Sequence, residues 1–265
     1  MTASTTPSYR QSHLGQGLDY HDRFTKNPRR RMMWRLEQAV LDNVLDTMHS
    51  SRNTDECDEG IRYLDFACGT GRMLAFVSAR TDSATGIDVS DSMLEVAATS
   101  APQAELVAAD ITTDGNPLLG RHFDLITAFR FFPNAEPALR AEAIAALTDR
   151  LAPGGRIIFN NHRCLSSLRH RLVRLLTLGW RGRTGMSRRE VETMITTAGL
   201  EIESVSHAGI VPEYEWLLLR PRFLIEWIER LATKLPLRFL SENLIYVCHR
   251  RPAAESLPRV MRQAA

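Results

Sequence analysis

Four short stretches between residues 63 and 163 hold side chains whose types and spacing could do chemistry: YLDFACGTGR, GIDVS, AADIT and NNHR. In the first, an apolar run from Ile61 to Phe66 ends in a turn containing Ala67, Gly69 and Gly71, and a helical pattern from Met73 to Ala79 follows at once. Strand, glycine turn and helix start together make a backbone that approaches a ligand closely and aims N–H groups at it. Asp88 and Asp110 each close an apolar run, where a carboxylate can accept hydrogen bonds from a ligand's hydroxyl or amino groups. His162 stands just past another run. An imidazole titrates near neutral pH and is the side chain best matched to taking a proton from a hydroxyl.

The elements that must position these residues alternate. Strand patterns at Ile61–Phe66, Ser83–Asp88, Ala104–Ala108, Phe123–Ala128 and Arg156–Asn160 are interleaved with helical patterns at Arg72–Ala79, from a Ser90-Asp91 cap through Ala98, and at Glu136–Arg150. The segment LAPGG turns the chain into the last of these strands. Repeated βα units with short connections give an α/β, doubly wound parallel sheet with helices on both faces. Ahead of it, Met33, Leu36, Val40, Val44 and Leu45 form one stripe of a helical segment within Leu18–Met48. Behind it come amphipathic helical patterns at Leu165–Leu178 and Phe223–Leu235, a helix at Ser187–Ala198 stopped by Gly199, and strands at Leu200–Ser206 and Leu244–Cys248. Residues 1–17 read as a disordered tail and residues 251–265 as a loose one.

The spacing of the glycines decides between ligand classes. A dinucleotide site wants G-x-G-x-x-G, but counting from Gly69 the last position is Leu74, and counting from Ala67 it is Arg72. A nicotinamide-dependent oxidoreductase therefore fails. What stands in the sequence is D-x-A-x-G-x-G from Asp65, with Asp88 17 residues beyond Gly71, then Asp110, then HFDLITAF and LAPGGRIIF. This series resembles the class I S-adenosylmethionine-dependent methyltransferases, with Ala67 in place of the family's first glycine.

The resemblance covers roughly residues 18–250, and its specific motifs lie within 61–160. It implies a Rossmann-like seven-stranded sheet whose last strand, Leu244–Cys248, is antiparallel, N-terminal helices over the cofactor at 18–49, and helical insertions or lids at 163–186 and 212–240. The implied cofactor is S-adenosyl-L-methionine, leaving as S-adenosyl-L-homocysteine, with no metal. By the same resemblance the turn of Ala67, Cys68, Gly69 and Gly71 takes the methionine end, Asp88 beside Val89 the ribose, and Asp110 the adenine amine with the Ile111 N–H facing the ring. Tyr20 would touch the cofactor, Met93 and Phe129 would flank it, and Arg130 would meet its carboxylate or a substrate anion. In α/β sheets ligands sit beyond the carboxyl ends of the strands, which makes His162 the first choice for a base and Asn161 a substrate donor. His207 and the pair Glu213-Tyr214 are weaker choices near the substrate, and His122 falls at the opposite end of the sheet.

Composition narrows the partners. The net charge of +2 gives no whole-chain argument for nucleic acid, and the position of the N/D-P-P-Y motif of base-amine methyltransferases holds Phe129-Arg130-Phe131-Phe132. The four cysteines, Cys57, Cys68, Cys164 and Cys248, include no C-x-x-C pair, which disfavours zinc ribbons and the cluster of radical enzymes. Scattered thiols and a polar N-terminus fit a cytoplasmic protein, and no run approaches the ~18 apolar residues of a membrane span. From Arg150 to Arg189 there are ten arginines and no Asp or Glu. Interleaved with Leu165, Leu168, Leu172, Leu175 and Leu176, they read as a solvated basic face, a lid over the acceptor, or a peripheral contact with an anionic membrane. FRFFPNAEP, NNHR and NLIYVCHR together resemble bacterial methyltransferases of glycans and secondary metabolites, so the expected acceptor is a hydroxyl of a small molecule or glycan. N- or C-methylation and a cofactor-binding partner without turnover remain the alternatives; the oligomeric state is open.

Overall fold

Strands buried on both faces read as continuous apolar runs, and that is how the central strands of this chain behave. The computed structural model describes residues 27–52, 60–168, 170–171, 175, 185–210, 221–235 and 237–252. Its elements are α1 (Pro28–Arg52), β1 (Arg62–Phe66), α2 (Arg72–Ser78), β2 (Ser83–Asp88), α3 (Asp91–Ser100), β3 (Glu105–Ala108) and β4 (Phe123–Ala128). There follow α4 (Pro137–Asp149), β5 (Leu151–Asn161), α5 (Arg188–Thr197), β6 (Leu200–Ala208), α6 (Arg222–Thr233) and β7 (Asn243–Arg250). One seven-stranded sheet has the order β3-β2-β1-β4-β5-β7-β6. Strands β1 to β5 pair in parallel, and β7 runs antiparallel to both β5 and β6. The chain reverses its winding at β1 and β4, which sit side by side, and ligand crevices of doubly wound sheets open at such a point.

Alternation along each strand divides the core into two layers. Leu64, Ile126, Phe159 and Tyr246 face α4 and α5, where Leu139, Ile144, Leu147, Val191 and Ile195 complete the layer. Tyr63, Leu125, Ile158 and Ile245 face α1 and α2, meeting Leu41, Leu45, Met73, Leu74 and Val77. Every position of β4 is buried.

Several boundaries differ from the sequence reading. The segment LAPGG is not a separate turn: β5 starts at Leu151 and includes it. Phe123 pairs with Leu151 but Leu125 with Arg156, so the extra residues are taken up as a bulge, with Gly154 at φ 73°. On α1, Leu36 and Val40 lie half-buried beside a stripe centred on Met33, Leu41, Val44 and Leu45, and Glu37 is buried within it. Ser90 occupies the N-cap position of α3 without a side-chain cap bond. Ser187 does cap α5, accepting from the Glu190 N–H in a full capping box. Arg251 is tied down rather than loose, its N–H donating to the Gly199 carbonyl at 2.9 Å. Of the expected helix at Leu165–Leu178, Leu165, Ser166 and Ser167 are not helical, Leu168, His170, Arg171 and Leu175 are helical, and the others lie outside the described residues. The expected tail at 1–17, Tyr20, Glu213 and Tyr214 lie outside the described residues.

Candidate active site

The carboxyl ends of β1, β2, β3 and β4 open into one cleft, continuous with solvent at its mouth. From β1 comes Asp65, almost fully buried. The Thr127 hydroxyl of β4 donates to Asp65 Oδ1 at 2.7 Å. That proton being used, the Tyr63 hydroxyl donates in turn to Thr127 Oγ1 at 2.6 Å. Asp65 Oδ2 has no partner among the described residues. Burial raises the Asp65 carboxyl to about 7, and neither the Thr127 bond nor the nearby Arg72 charge cancels that rise. The cleft thus holds an acid half-ionised near neutral pH with one oxygen to spare.

After Asp65 the chain enters the turn with Ala67 at φ 52°, Gly69 at φ 53° and Gly71 at φ 75°. Left-handed backbone costs an alanine roughly 1–2 kcal/mol, so Ala67 is strained where the family's pattern has glycine. A Cβ built on Gly69 meets nothing within 4 Å, since it faces the open cleft. One built on Gly71 comes within 3.0 Å of Ala97 on α3, so Gly71 permits close helix packing and does not line the cleft. The turn is clamped from β2: the Gly69 N–H donates to Asp88 Oδ2 at 2.9 Å and the Ser90 N–H to Asp88 Oδ1 at 3.0 Å. At the end of β3, Asp110 Oδ1 accepts from the Thr112 N–H at 2.9 Å and the Thr112 hydroxyl at 2.7 Å. Both acids named from the sequence therefore also hold their own loops in shape.

Ala67, Cys68, Gly69, Asp88 and Val89 line this cleft, as do Met93, Asp110, Ile111, Phe129 and Arg130. Burial pushes the Cys68 thiol well up, so it serves as a packing group there. Sequence reasoning missed Asp65, Arg72 and Ser90 as lining residues. Asp65 opens the glycine motif and was legible. Arg72 was not, because its partners come from α1: Glu37 at 3.1 Å and the Trp34 ring, 4.2 Å from the guanidinium.

At the β4–β5 end, Arg130 has φ 63°. Asn160 Oδ1 accepts its N–H at 2.7 Å, and its carbonyl accepts from Asn134 Nδ2 at 2.6 Å. Such strained backbone persists only where its surroundings over-determine it. Asn161, expected to face a substrate, is buried and gives Nδ2 to the Met186 carbonyl at 2.8 Å. It does not line the cleft; along a strand its side chain points away from that of Asn160. His162 is half-buried just outside the lining, with no partner for Nδ1 among the described residues. Burial, then the Arg130 and Arg163 charges, lower it to about 3. It is neutral at pH 7 and a weaker base than a free imidazole. His207 has another task, donating from Nε2 to the Ala232 carbonyl at 2.9 Å. Among the described residues no group of three or more His, Cys, Asp or Glu is placed to hold a metal ion.

Residues 64–155 match the family model of the methyltransferase domain. No curated protein matches the sequence. Among solved structures, the chain is similar to magnesium protoporphyrin IX methyltransferase from Synechocystis PCC 6803 with bound S-adenosyl-L-homocysteine, at 14% identity and a TM-score of 0.61, over 91% of this chain and 97% of that one. It is also similar to the N-methyltransferase NodS from Bradyrhizobium japonicum WM9, at 16% identity and a TM-score of 0.54, over 89% and 98% of the two chains. A TehB-like methyltransferase from Corynebacterium glutamicum gives 18% identity and a TM-score of 0.52, over 89% and 98%. At these identities the likeness shows the fold. The sheet order and the cleft are those of the class I S-adenosylmethionine-dependent methyltransferase fold, and residues 64–155 match its methyltransferase-domain model.

The residues present fit that cofactor. Its amino group and sulfonium are cationic, and Asp65 offers an unpartnered buried oxygen. The open face of Gly69 leaves space that any side chain would fill. Asp88 and Asp110 bring further acceptors to the same cleft.

Proposed function

We propose that the protein methylates a hydroxyl of a small molecule or glycan. In this reading Asp88 holds the ribose hydroxyls, Asp110 the adenine amine, and Asp65 with the Ala67–Gly69 backbone the methionine end. When bound, the cofactor supplies a methyl group already activated on sulfur. The chain's own work is to exclude water, fix the acceptor and receive its proton, and holding the reacting groups in line provides much of such an acceleration.

The observation that carries the hydroxyl reading is His162. Its neutral ring, near Arg130 of the cleft lining, has a buried Nδ1 without a partner among the described residues, an orphan acceptor that a hydroxyl donor reaching it would satisfy. An acceptor carrying an anionic group would offset the Arg130 charge and raise the basicity of His162 as it binds. The test is turnover of a panel of neutral and anionic hydroxyl acceptors by wild type and His162→Gln. Loss of turnover on hydroxyls with intact cofactor binding supports the reading; equal turnover by both proteins contradicts it. The low basicity of His162 favours a second reading, transfer to an amine nitrogen, which sheds its proton to water without help. In that case amine acceptors turn over and His162→Gln is neutral.

A further inference from the structure

Helix α6 is inside out for a helix on a protein surface. Its inward residues are Ile225, Glu229 and Ala232, and Glu229 is 1% exposed. Outside stand Phe223, 71% exposed, and Trp227, 60% exposed, with Leu224, Ile228 and Leu231 exposed beside them. At 3.6 residues per turn these five span about 140° of the circumference. Burying a carboxylate while leaving tryptophan and phenylalanine in water runs against ordinary residue preference.

Polar contacts fix this rotation. Glu229 accepts the Ile210 N–H at 2.9 Å, His207 Nε2 donates to the Ala232 carbonyl at 2.9 Å, and Glu226 pairs with Arg35 of α1 at 3.0 Å. The apolar arc is therefore held outward by the same bonds that seat the helix. The patch continues beyond it. Leu235 and Phe239 are exposed, and the Phe239 carbonyl accepts the Leu168 N–H at 3.0 Å, bringing exposed Leu168 alongside. Contiguous apolar surface of this kind marks an interaction site.

Among the described residues, the exposed charges on α6 and the turn after it, Arg230, Lys234 and Arg238, are cationic, while Glu229 is buried and Glu226 is paired with Arg35. Arg171, also exposed, lies one turn from Leu168 in the stretch that carries ten arginines and no acid. A second copy of the chain would set cation against cation across this border. An anionic bilayer complements it, with apolar side chains entering the acyl boundary and the cations meeting lipid phosphates.

We propose that the outward face of α6, extended by Leu168 and Phe239, docks on an anionic lipid bilayer. No helix among the described residues is long and apolar enough to cross a membrane, so the contact is peripheral. It is independent of which acceptor is methylated.

The test is sedimentation of the full chain with vesicles of phosphatidylcholine alone and of phosphatidylcholine mixed with phosphatidylglycerol. Wild type is expected to sediment with the mixed vesicles and less with the neutral ones. The double variant Phe223→Ser/Trp227→Ser should lose at least ~10-fold in partitioning, each buried aromatic being worth more than 1 kcal/mol. Arg230→Glu/Lys234→Glu should lose the preference for phosphatidylglycerol. Retained binding of S-adenosyl-L-homocysteine shows that the variants are folded. Wild type that ignores both vesicle types, or a double variant that partitions like wild type, overturns the proposal. So does a concentration-dependent dimer, seen by light scattering, that the double variant abolishes, since a second copy then occupies the face.

Discussion

The two ends of the cleft are built in different ways. At the β1–β3 end the loops are fixed by carboxylates of that same end: Asp88 clamps Gly69 and Ser90, and Asp110 holds Thr112, while Asp65 leans on Thr127 of β4. At the β4–β5 end the support comes from far along the chain: Asn160 holds the Arg130 backbone and itself donates to Asn243 at 3.3 Å, while Asn161 reaches Met186. The first end is a compact motif that presents carboxylates to the cleft, where the proposed function places a cationic nucleoside. The second is assembled from loops and insertions, where related folds vary their substrates. On the proposed reading, cofactor binding is written in contacts among the first strands, and acceptor choice in longer-range ones.

The difference is sharpest at His162. His162→Ala should slow transfer to a hydroxyl by ~10²-fold, the low end for a lost general base because its basicity is already reduced, and leave cofactor affinity unchanged. Steady-state kinetics beside calorimetry separates the two effects. Loss of cofactor affinity in this variant would mean the two ends are not independent.

Asp65 gives the next largest effect. Its carboxyl sits at about 7 in the folded ligand-free protein and near 4 when unfolded. The folded state therefore binds the proton more tightly, so the protonated form's stabilising contribution is full below about pH 4 and is lost as pH rises through 7. Asp65→Asn should remove that loss: the variant melts higher than wild type at pH 8 and gains nothing at pH 4. The same substitution should weaken binding of S-adenosyl-L-homocysteine ~10-fold or more, because a charged partner for its amino group is gone. A pH-independent difference between the two melting curves would remove Asp65 from this role.

The smallest effect is at Ala67. Ala67→Gly relieves left-handed strain of roughly 1–2 kcal/mol against roughly 0.5–1 kcal/mol of added chain entropy. A net gain of up to ~1.5 kcal/mol in urea unfolding is expected, with cofactor affinity unchanged. Destabilisation would show that the alanine methyl makes a packing contact worth more than the strain.

This contrast also governs what was legible in the sequence. Strands β2 and β4 were read to the residue, since a buried parallel strand is an apolar run closed by turn residues. The ten lining residues named from the motifs share one cleft because each lies within a few positions of a strand end. What failed depended on distance. The bulge in β5 is set by pairing with β4, and the engagement of Asn161 by a carbonyl 25 residues away. The rotation of α6 was not legible either: its apolar arc is plain in PRFLIEWIERL, but contacts of Glu229 and Ala232 with β6 and the segment after it turn that arc outward.

The central claim, that the locally built end holds S-adenosylmethionine, is tested most directly by calorimetric titration with S-adenosyl-L-homocysteine, wild type beside Asp88→Ala. The account predicts saturable binding by wild type and a loss of ~2–4 kcal/mol in the variant, from two bonds to a charged acceptor that are not additive. Wild-type protein that is folded and ligand-free yet does not bind, or a variant that binds equally well, would contradict it.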